Sequence, residues 1–260
     1  MKRIDLNCDM GEGFGAWEAG DDAAMLGIVT SASIACGFHA GDPVIMARTL
    51  AAAKARGVGV GAHPGFADLY GFGRRVIRGE APADIEKQLI YQIGAFAALA
   101  RAEGLRPGHV KAHGALANMA NEDIGLARAI ARAVRSAAPD ALLVVMPGLA
   151  GEQAGAELGL RMAREIYADR SYGPGGNLAP RREPGAVIHD AEAAAARVLA
   201  ILETGTVTTT AGTTLPVVAD TVCVHGDTPG AVAMAAAIRA RLSAAGFSLQ
   251  PMQDWVQPAA

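Results

Sequence analysis

The stretch ASIACGFHAGDPVIMARTLAAAKARG, residues 32–57, reads as one complete β/α unit. Its first five residues, 32–36, are small or apolar and form a short buried strand. A turn follows that holds His39 between glycines. Asp42 then stands directly before Pro43, a capping residue followed by proline at the first helical position. An alanine-rich amphipathic stretch covers 43–56, and Gly57 ends it as a C-terminal cap.

The same pattern recurs on both sides. Further strands are predicted at 4–7, 58–62, 109–112, 142–146, 164–167 and 221–224, and helices at 21–29, 83–103, 123–138, 150–158, 191–203 and 229–245. Thr228 before Pro229 repeats the Asp42-Pro43 start signal, and Gly104 and Gly246 repeat the Gly57 stop signal. About seven β-then-α units predict a parallel sheet with right-handed crossovers. No Pro/Ser-rich linker divides the 260 residues. The sequence therefore favours one α/β barrel domain over 1–260, with a doubly wound open sheet as the alternative. Residues 171–186, rich in Gly, Pro and Arg, are expected to form an ordered loop over the barrel rim. The alternating threonines of 204–216 around Ala211-Gly212 predict a small hairpin.

Composition narrows the function classes. The chain is 51% hydrophobic and 19% charged, which suits a large buried core, but only 5% aromatic, so aliphatic side chains must fill it. The net charge is −3, without the basic cluster that nucleic acid or a membrane surface requires. The opening MKRIDLNCDMGEG has a basic pair but no apolar run of signal-peptide length, and no stretch reaches transmembrane length. Cys8, Cys36 and Cys223 are odd in number and widely spaced, which fits reduced thiols in the cytoplasm.

Four of the six histidines share one setting: His39 in CGFHAGDP, His63 in GAHPGF, His113 in KAHGAL and His225 in VHGDTP. Each follows a strand-like run and has glycine within two residues. In parallel α/β folds, the C-terminal end of a strand points into the shared mouth, so these rings are expected to converge. A lone histidine is more often a satisfied core or surface residue; four in equivalent positions favour function. His109 and His189 lack the setting and are read as structural.

On the first strand Asp5, Asn7 and Asp9 alternate and so share a face. Carboxylates inside a barrel need partners, and Lys111, two residues before His113, is the natural one. Asp42 and Asp227 lie beside helix starts, where capping is as good a reading as chemistry. Glu12 sits in MGEGFG, whose glycine spacing only loosely matches a dinucleotide fingerprint. The chain has no GxxxxGK[ST] loop, no HExxH helix and no GxSxG elbow. That leaves general acid/base chemistry or metal-assisted attack by water, with a divalent metal such as Zn²⁺ or Mn²⁺ compatible with the cluster.

The stretches DLNCDMGEGFG (5–15), IACGFHAGDP (34–43), GAHPGFADLYGFGRR (61–75), VKAHGAL (110–116), YADRSY (167–172) and VCVHGDTPGA (222–231) resemble, in order, the LamB/YcsF family. The resemblance implies an irregular (β/α)7-type TIM-like barrel related to glycoside hydrolase and deacetylase barrels. It also implies cleavage of 5-oxo-L-proline to L-glutamate coupled to ATP hydrolysis, with partner subunits PxpB and PxpC. Carried over by motif, Asp9, His39, His63, His113 and His225 would be catalytic. Asp5, Asn7, Glu12, Asp42, Arg74, Lys111, Asp169, Arg170 and Asp227 would surround the substrate. Three departures from the usual pattern stand out. Ser33-Ile34-Ala35 replaces Asn-Ile-Ala, Ala112 and Ala117 replace Pro and Tyr, and Gly175-Gly176 stands where Asp-Gly is usual.

The lactam is a resonance-protected amide whose ring closure is entropically favoured, so opening it at useful yield calls for ATP. A His–Asp pair is expected to activate water, while Lys111 or Arg74 holds the substrate carboxylate or phosphoryl oxygens. With no P-loop in this chain, ATP is expected wholly or partly on the partner subunits. The rival readings are a metal-dependent deacetylase or glycan hydrolase on a similar barrel, and a non-catalytic scaffold subunit.

Overall fold

In a computed structural model that describes residues 2–257, the chain forms a closed parallel barrel. The first half runs β1 (Lys2–Met10), α1 (Asp22–Met25), β2 (Ser31–Ala35), α2 (Pro43–Ala55), β3 (Gly59–His63), α3 (Pro82–Ala102), β4 (His109–Val110), α4 (Gly114–Ala120) and α5 (Ile124–Ala137). The second runs β5 (Leu142–Val145), α6 (Ala150–Glu157), β6 (Met162–Tyr167), α7 (Ala191–Thr204), β7 (Thr206–Thr208), β8 (Thr214–Pro216), β9 (Thr221–Val224), α8 (Ala231–Ala244) and β10 (Phe247–Leu249). Strands β1 to β6 lie side by side in sequence order, and β9 closes the ring by pairing with both β6 and β1. Seven parallel strands with intervening helices make this a TIM-like (β/α)7 barrel. The short antiparallel pair β7–β8 is the hairpin expected at 204–216.

Side-chain alternation in β1 sorts the molecule into layers. Ile4, Leu6, Cys8 and Met10 face outward into the apolar layer between sheet and helices. Asp5, Asn7 and Asp9 face the barrel interior, where they meet side chains of strands across the ring. The lower interior is closed by the chain's end: Met252 and Val256 pack against Leu142, Val144 and Ala163. Among the described residues no helix is long and apolar enough to cross a membrane.

Several boundaries differ from the sequence reading. β1 is longer than 4–7 because Lys2–Ile4 pair with β10, a three-residue strand too short to stand out. The strand expected at 109–112 ends at Val110, and α4 begins soon after, with His113 as its N-cap residue. The helix expected at 21–29 is a single turn. The last helix starts at Ala231 rather than Pro229; Gly230, with φ 84°, occupies its N-cap, and Thr228 contributes a backbone carbonyl rather than a capping side chain.

Candidate active site

The C-terminal ends of the strands gather most of the titratable side chains. His63 is the last residue of β3, Asp9 lies near the end of β1, and His225 follows β9 directly. Glu12 and His39 come from the loops after β1 and β2. His39 and His113 stack with ring centroids 3.7 Å apart, and His63 stands edge-on to both. Glu12 Oε1 lies 3.2 Å from His39 Nε2 and 3.5 Å from His113 Nδ1. Asp9 Oδ2 lies 3.4 Å from His63 Nε2. His39, His63, His113, Asp9 and Glu12 are all buried.

Backbone carbonyls fix two of these rings. His63 Nδ1 is 2.8 Å from the Lys111 carbonyl, and His113 Nε2 is 2.8 Å from the Phe72 carbonyl. Carbonyls only accept, so both of those nitrogens carry hydrogen. In neutral rings His63 Nε2 and His113 Nδ1 then point lone pairs at each other across 2.9 Å, beside two carboxylates. A positive centre, either a proton or a metal cation, resolves that confrontation. Glu12, His39, His63 and His113 offer ligand atoms that all lie within 4.8 Å of one another. The shorter of these spacings match the edges of a coordination polyhedron with bonds of about 2.0–2.2 Å. The donor set therefore fits a divalent cation, with the stacked pair tilting apart for both rings to reach it.

Phe72 itself has φ 54°, unusual for a bulky residue, and Gly73 follows with φ 63°. A Cβ on Gly73 would lie 2.7 Å from both His113 Cδ2 and His39 Cβ. This turn is thus shaped around the imidazole pair.

Electrostatics divides the cluster. Burial raises the Asp9 carboxyl, but the neighbouring His63 and Lys111 more than reverse this and hold it well below the usual carboxylate range. Burial, reinforced by the Asp9 charge, pushes Glu12 up to about 7. Burial lowers His39 and His113 well below ordinary imidazoles, aided by the adjacent rings. Lys111 is the ionic centre of the barrel. Its Nζ lies 3.0 Å from both Asp9 Oδ1 and Glu165 Oε1 and 3.3 Å from Asn7 Oδ1, with the Tyr167 ring 5.3 Å away. Burial disfavours its charge, but Asp9, Cys223 and Glu165 over-compensate and raise it well above an ordinary lysine.

A second arrangement lies beside Asp9, where β9 adjoins β1. His225 Nδ1 sits 2.9 and 2.8 Å from the two oxygens of Asp169; among the described residues Nε2 makes no hydrogen bond, and His225 lines the cleft. Burial raises Asp169, yet His225, Arg181 and Arg170 bring it below the usual range, so it remains a carboxylate. This is the geometry of an oriented general base.

Asp9, Lys111, His63, His113 and His225 line one cleft of about 990 Å³, and Glu12 and His39 adjoin it. Arg74 borders the cleft and pairs with Asp227 at 2.8 Å. Arg170 also borders it, but donates to the carbonyls of Ala179 and Ala186, which ties down the 171–186 loop. Two residues sit lower in the barrel. Asp5 accepts from Thr30, Ser31 and Thr221 hydroxyls, and burial pushes it up to about 6. Asn7 donates to Glu165 and Thr221. Asp42 is not brought to the cleft. One of its oxygens caps α2 through the Val44 and Ile45 amides, and the other accepts from Gly15 N. His109 is buried against Ser33 within the barrel, and His189 is exposed. Glu165, Tyr167 and the Phe72 carbonyl escaped the sequence reading. The first two were accessible from alternation in β6, which puts Ala163, Glu165 and Tyr167 on the interior face.

The sequence profile of the LamB/YcsF family matches residues 4–257. The A subunit of 5-oxoprolinase from Rhodopseudomonas palustris (strain BisB5) is 52% identical over 249 residues, covering 96% of this chain and 98% of the relative. The crystal structure of a lactam utilization protein from Thermus thermophilus superposes with a TM-score of 0.89 at 44% identity, over 95% of this chain and 99% of that one. The catalytic domain of a peptidoglycan N-acetylglucosamine deacetylase from Eubacterium rectale ATCC 33656 matches at 12% identity with a TM-score of 0.52, over 100% and 93% of the two chains. That last likeness is one of fold alone.

Proposed function

The chain belongs to the LamB/YcsF family, and from that premise we propose that it opens the lactam of 5-oxo-L-proline to L-glutamate, with ATP consumed, as one component of a multi-subunit enzyme. The observation that carries the mechanism is the His225–Asp169 pair, beside Asp9 in the cleft that His63 and His113 also line. The Rhodopseudomonas relative is named as one lettered subunit, which supports partner subunits; PxpB and PxpC are the partners we assign. The three buried free cysteines fit a cytoplasmic protein.

The chemistry follows from the groups present. Transfer of the ATP γ-phosphoryl group to the amide oxygen activates the ring carbon. Water adds to that carbon and gives its proton to His225 Nε2, while Asp169 keeps the other ring nitrogen protonated and stabilises the imidazolium. The C–N bond then breaks with its electron pair on nitrogen, which takes the proton back from His225, while the added hydroxyl forms the carbonyl of an acyl phosphate and gives its proton to solvent. A second water releases phosphate from the acyl phosphate that remains. Lys111, held charged by Asp9 and Glu165, and Arg74 at the rim offer positive charge to the substrate carboxylate and the phosphoryl oxygens. A divalent cation at Glu12, His63 and His113, with His39 beside them, would supply Lewis-acid polarisation of oxygen.

The test is glutamate release from 5-oxoproline and ATP by this chain alone, by the partner subunits alone and by the mixture. Release by the mixture only is expected. Full-rate release by the partners without this chain overturns the reading. ATP-independent deacetylation by the isolated chain would favour the barrel-deacetylase alternative.

A further inference from the structure

The cleft is larger than its proposed substrate requires. A volume of about 990 Å³ lies at the top of the range for small-molecule pockets, and one five-membered lactam fills a small part of it. The remaining space is bordered by arginines. Arg74 and Arg78 come from the loop after β3, and Arg170, Arg181 and Arg182 from the loop after β6.

Their charges are only partly compensated: Asp169 lies near Arg170 and Arg181, and Glu122 and Glu183 also line the cleft. Among the described residues, Arg74 alone of the five has a carboxylate within 4.0 Å, namely Asp227. The buried Arg170 uses its donors on two backbone carbonyls, an arrangement that holds Arg181 over the cleft. Burial, and after it the nearby Arg181, lower Arg170; Asp169 and Tyr167 offset this in part, and the more distant Arg74 adds to it. Like charges gathered in a cleft raise the free energy of the empty site and focus a positive field into it. The planar fork of arginine matches phosphate oxygens in pairs, which a lysine ammonium does not.

We infer that this arginine rim is a subsite on this chain for a phosphate-bearing ligand, held so that its phosphoryl end reaches the histidine floor. The shared chemistry is a phosphoryl group with two or more charged oxygens. It can arrive as the polyphosphate of a nucleotide or as the phosphorylated lactam. The inference rests on the ATP-coupled reading above and extends it from Arg74 to the arginines of the loop after β6.

Calorimetric titration of the purified full chain, at fixed ionic strength, tests it. Pyrophosphate and a non-hydrolysable ATP analogue are the probes for the first source, and adenosine is the control lacking phosphate. Orthovanadate with and without 5-oxoproline is the probe for the second. Binding of pyrophosphate and the analogue but not adenosine supports a nucleotide tail. Vanadate binding that requires the lactam supports the phosphorylated intermediate. In either case Arg181→Ala should weaken the probe about tenfold, the loss of one charge-assisted contact. Arg181→Lys should recover only part of it, while an unchanged melting temperature shows that the loop still folds. If Arg181→Ala/Arg182→Ala binds every probe as tightly as the parent chain, or if only the partner subunits bind them, the subsite does not exist. The subsite is equally ruled out if the double variant loses its partners on size exclusion but keeps full probe affinity, because the rim is then a protein-docking surface. A parallel glutamate-release assay separates the two claims. Intact release with no probe binding removes the subsite alone; no release by the parent complex removes the lactam reading and leaves the titration to be judged by itself.

Discussion

Asp169→Asn is the sharpest perturbation of the proposed chemistry. In the parent protein both oxygens of Asp169 lie within 2.9 Å of His225 Nδ1, and the carboxylate is fully buried, so no water can replace it. Asparagine keeps the shape but offers an amide NH₂ group. Where that group faces Nδ1, the ring must accept there and carry its hydrogen on Nε2, the atom proposed as the base. The base is then blocked by its own proton, and the imidazolium loses its neutralising partner. General base catalysis contributes about 10²–10⁴-fold, so kcat should fall by that factor, equivalent to about 3–5 kcal/mol of barrier. Substrate binding, which does not use Asp169 directly, should leave KM within about threefold. The assay is steady-state glutamate release by the reconstituted complex, with Asp169→Asn, His225→Ala and the double variant side by side. Because the two residues act as a unit, the double variant should be no slower than His225→Ala. An Asp169→Asn enzyme that retains a third of parental kcat, or losses that multiply in the double variant, would refute the assignment of His225 as base.

Three further outcomes follow from the barrel interior. Lys111→Met strands Asp9 and Glu165 as buried carboxylates without their cation, and urea unfolding should show a loss of about 3–5 kcal/mol; a loss below 1 kcal/mol would mean water reaches the barrel centre. Asp5 titrates at about 6 in the folded chain against 3.8 in the unfolded one, so its contribution is fully present below pH 3.8 and is lost as pH rises through 6. Replacing it by Asn should remove that decline, leaving the variant about 3 kcal/mol more favourable, relative to parent, at pH 8 than at pH 3.5; parallel pH–stability curves for the two proteins would disprove it. Gly73→Ala forces a Cβ against His113 and His39 at a positive φ, and should lower both stability, by about 1–3 kcal/mol, and glutamate release; unchanged kinetics would show that the imidazole stack is not needed for turnover.

The barrel was legible because its signals are local and repeated. Asp42-Pro43 and Gly57 bracket a helix that the structure reproduces, and the strand-end histidines are spaced by whole β/α units. Alternation in β1 likewise put Asp5, Asn7 and Asp9 on one face, but not at one depth. Asp5 lies too low to reach the mouth and is satisfied by hydroxyls rather than by Lys or Arg. Depth along a tilted strand depends on register with its neighbours, which no single segment encodes. Asp42 follows the same logic, since a cap and a catalytic acid share one local pattern. The Phe72 carbonyl that orients His113 was invisible because its role comes from backbone geometry rather than from side-chain type. β10 escaped for a third reason: three residues gain strand character only from the remote Lys2–Ile4 edge they pair with.

The plug of Met252 and Val256 beneath the barrel gives the molecule a blind end. In the chemistry proposed above, every reactant and product would enter and leave by the strand-C-terminal mouth, and whichever is bound deepest would leave last. A companion protein seated on that mouth would govern the order of arrival and departure without contributing a single reacting atom.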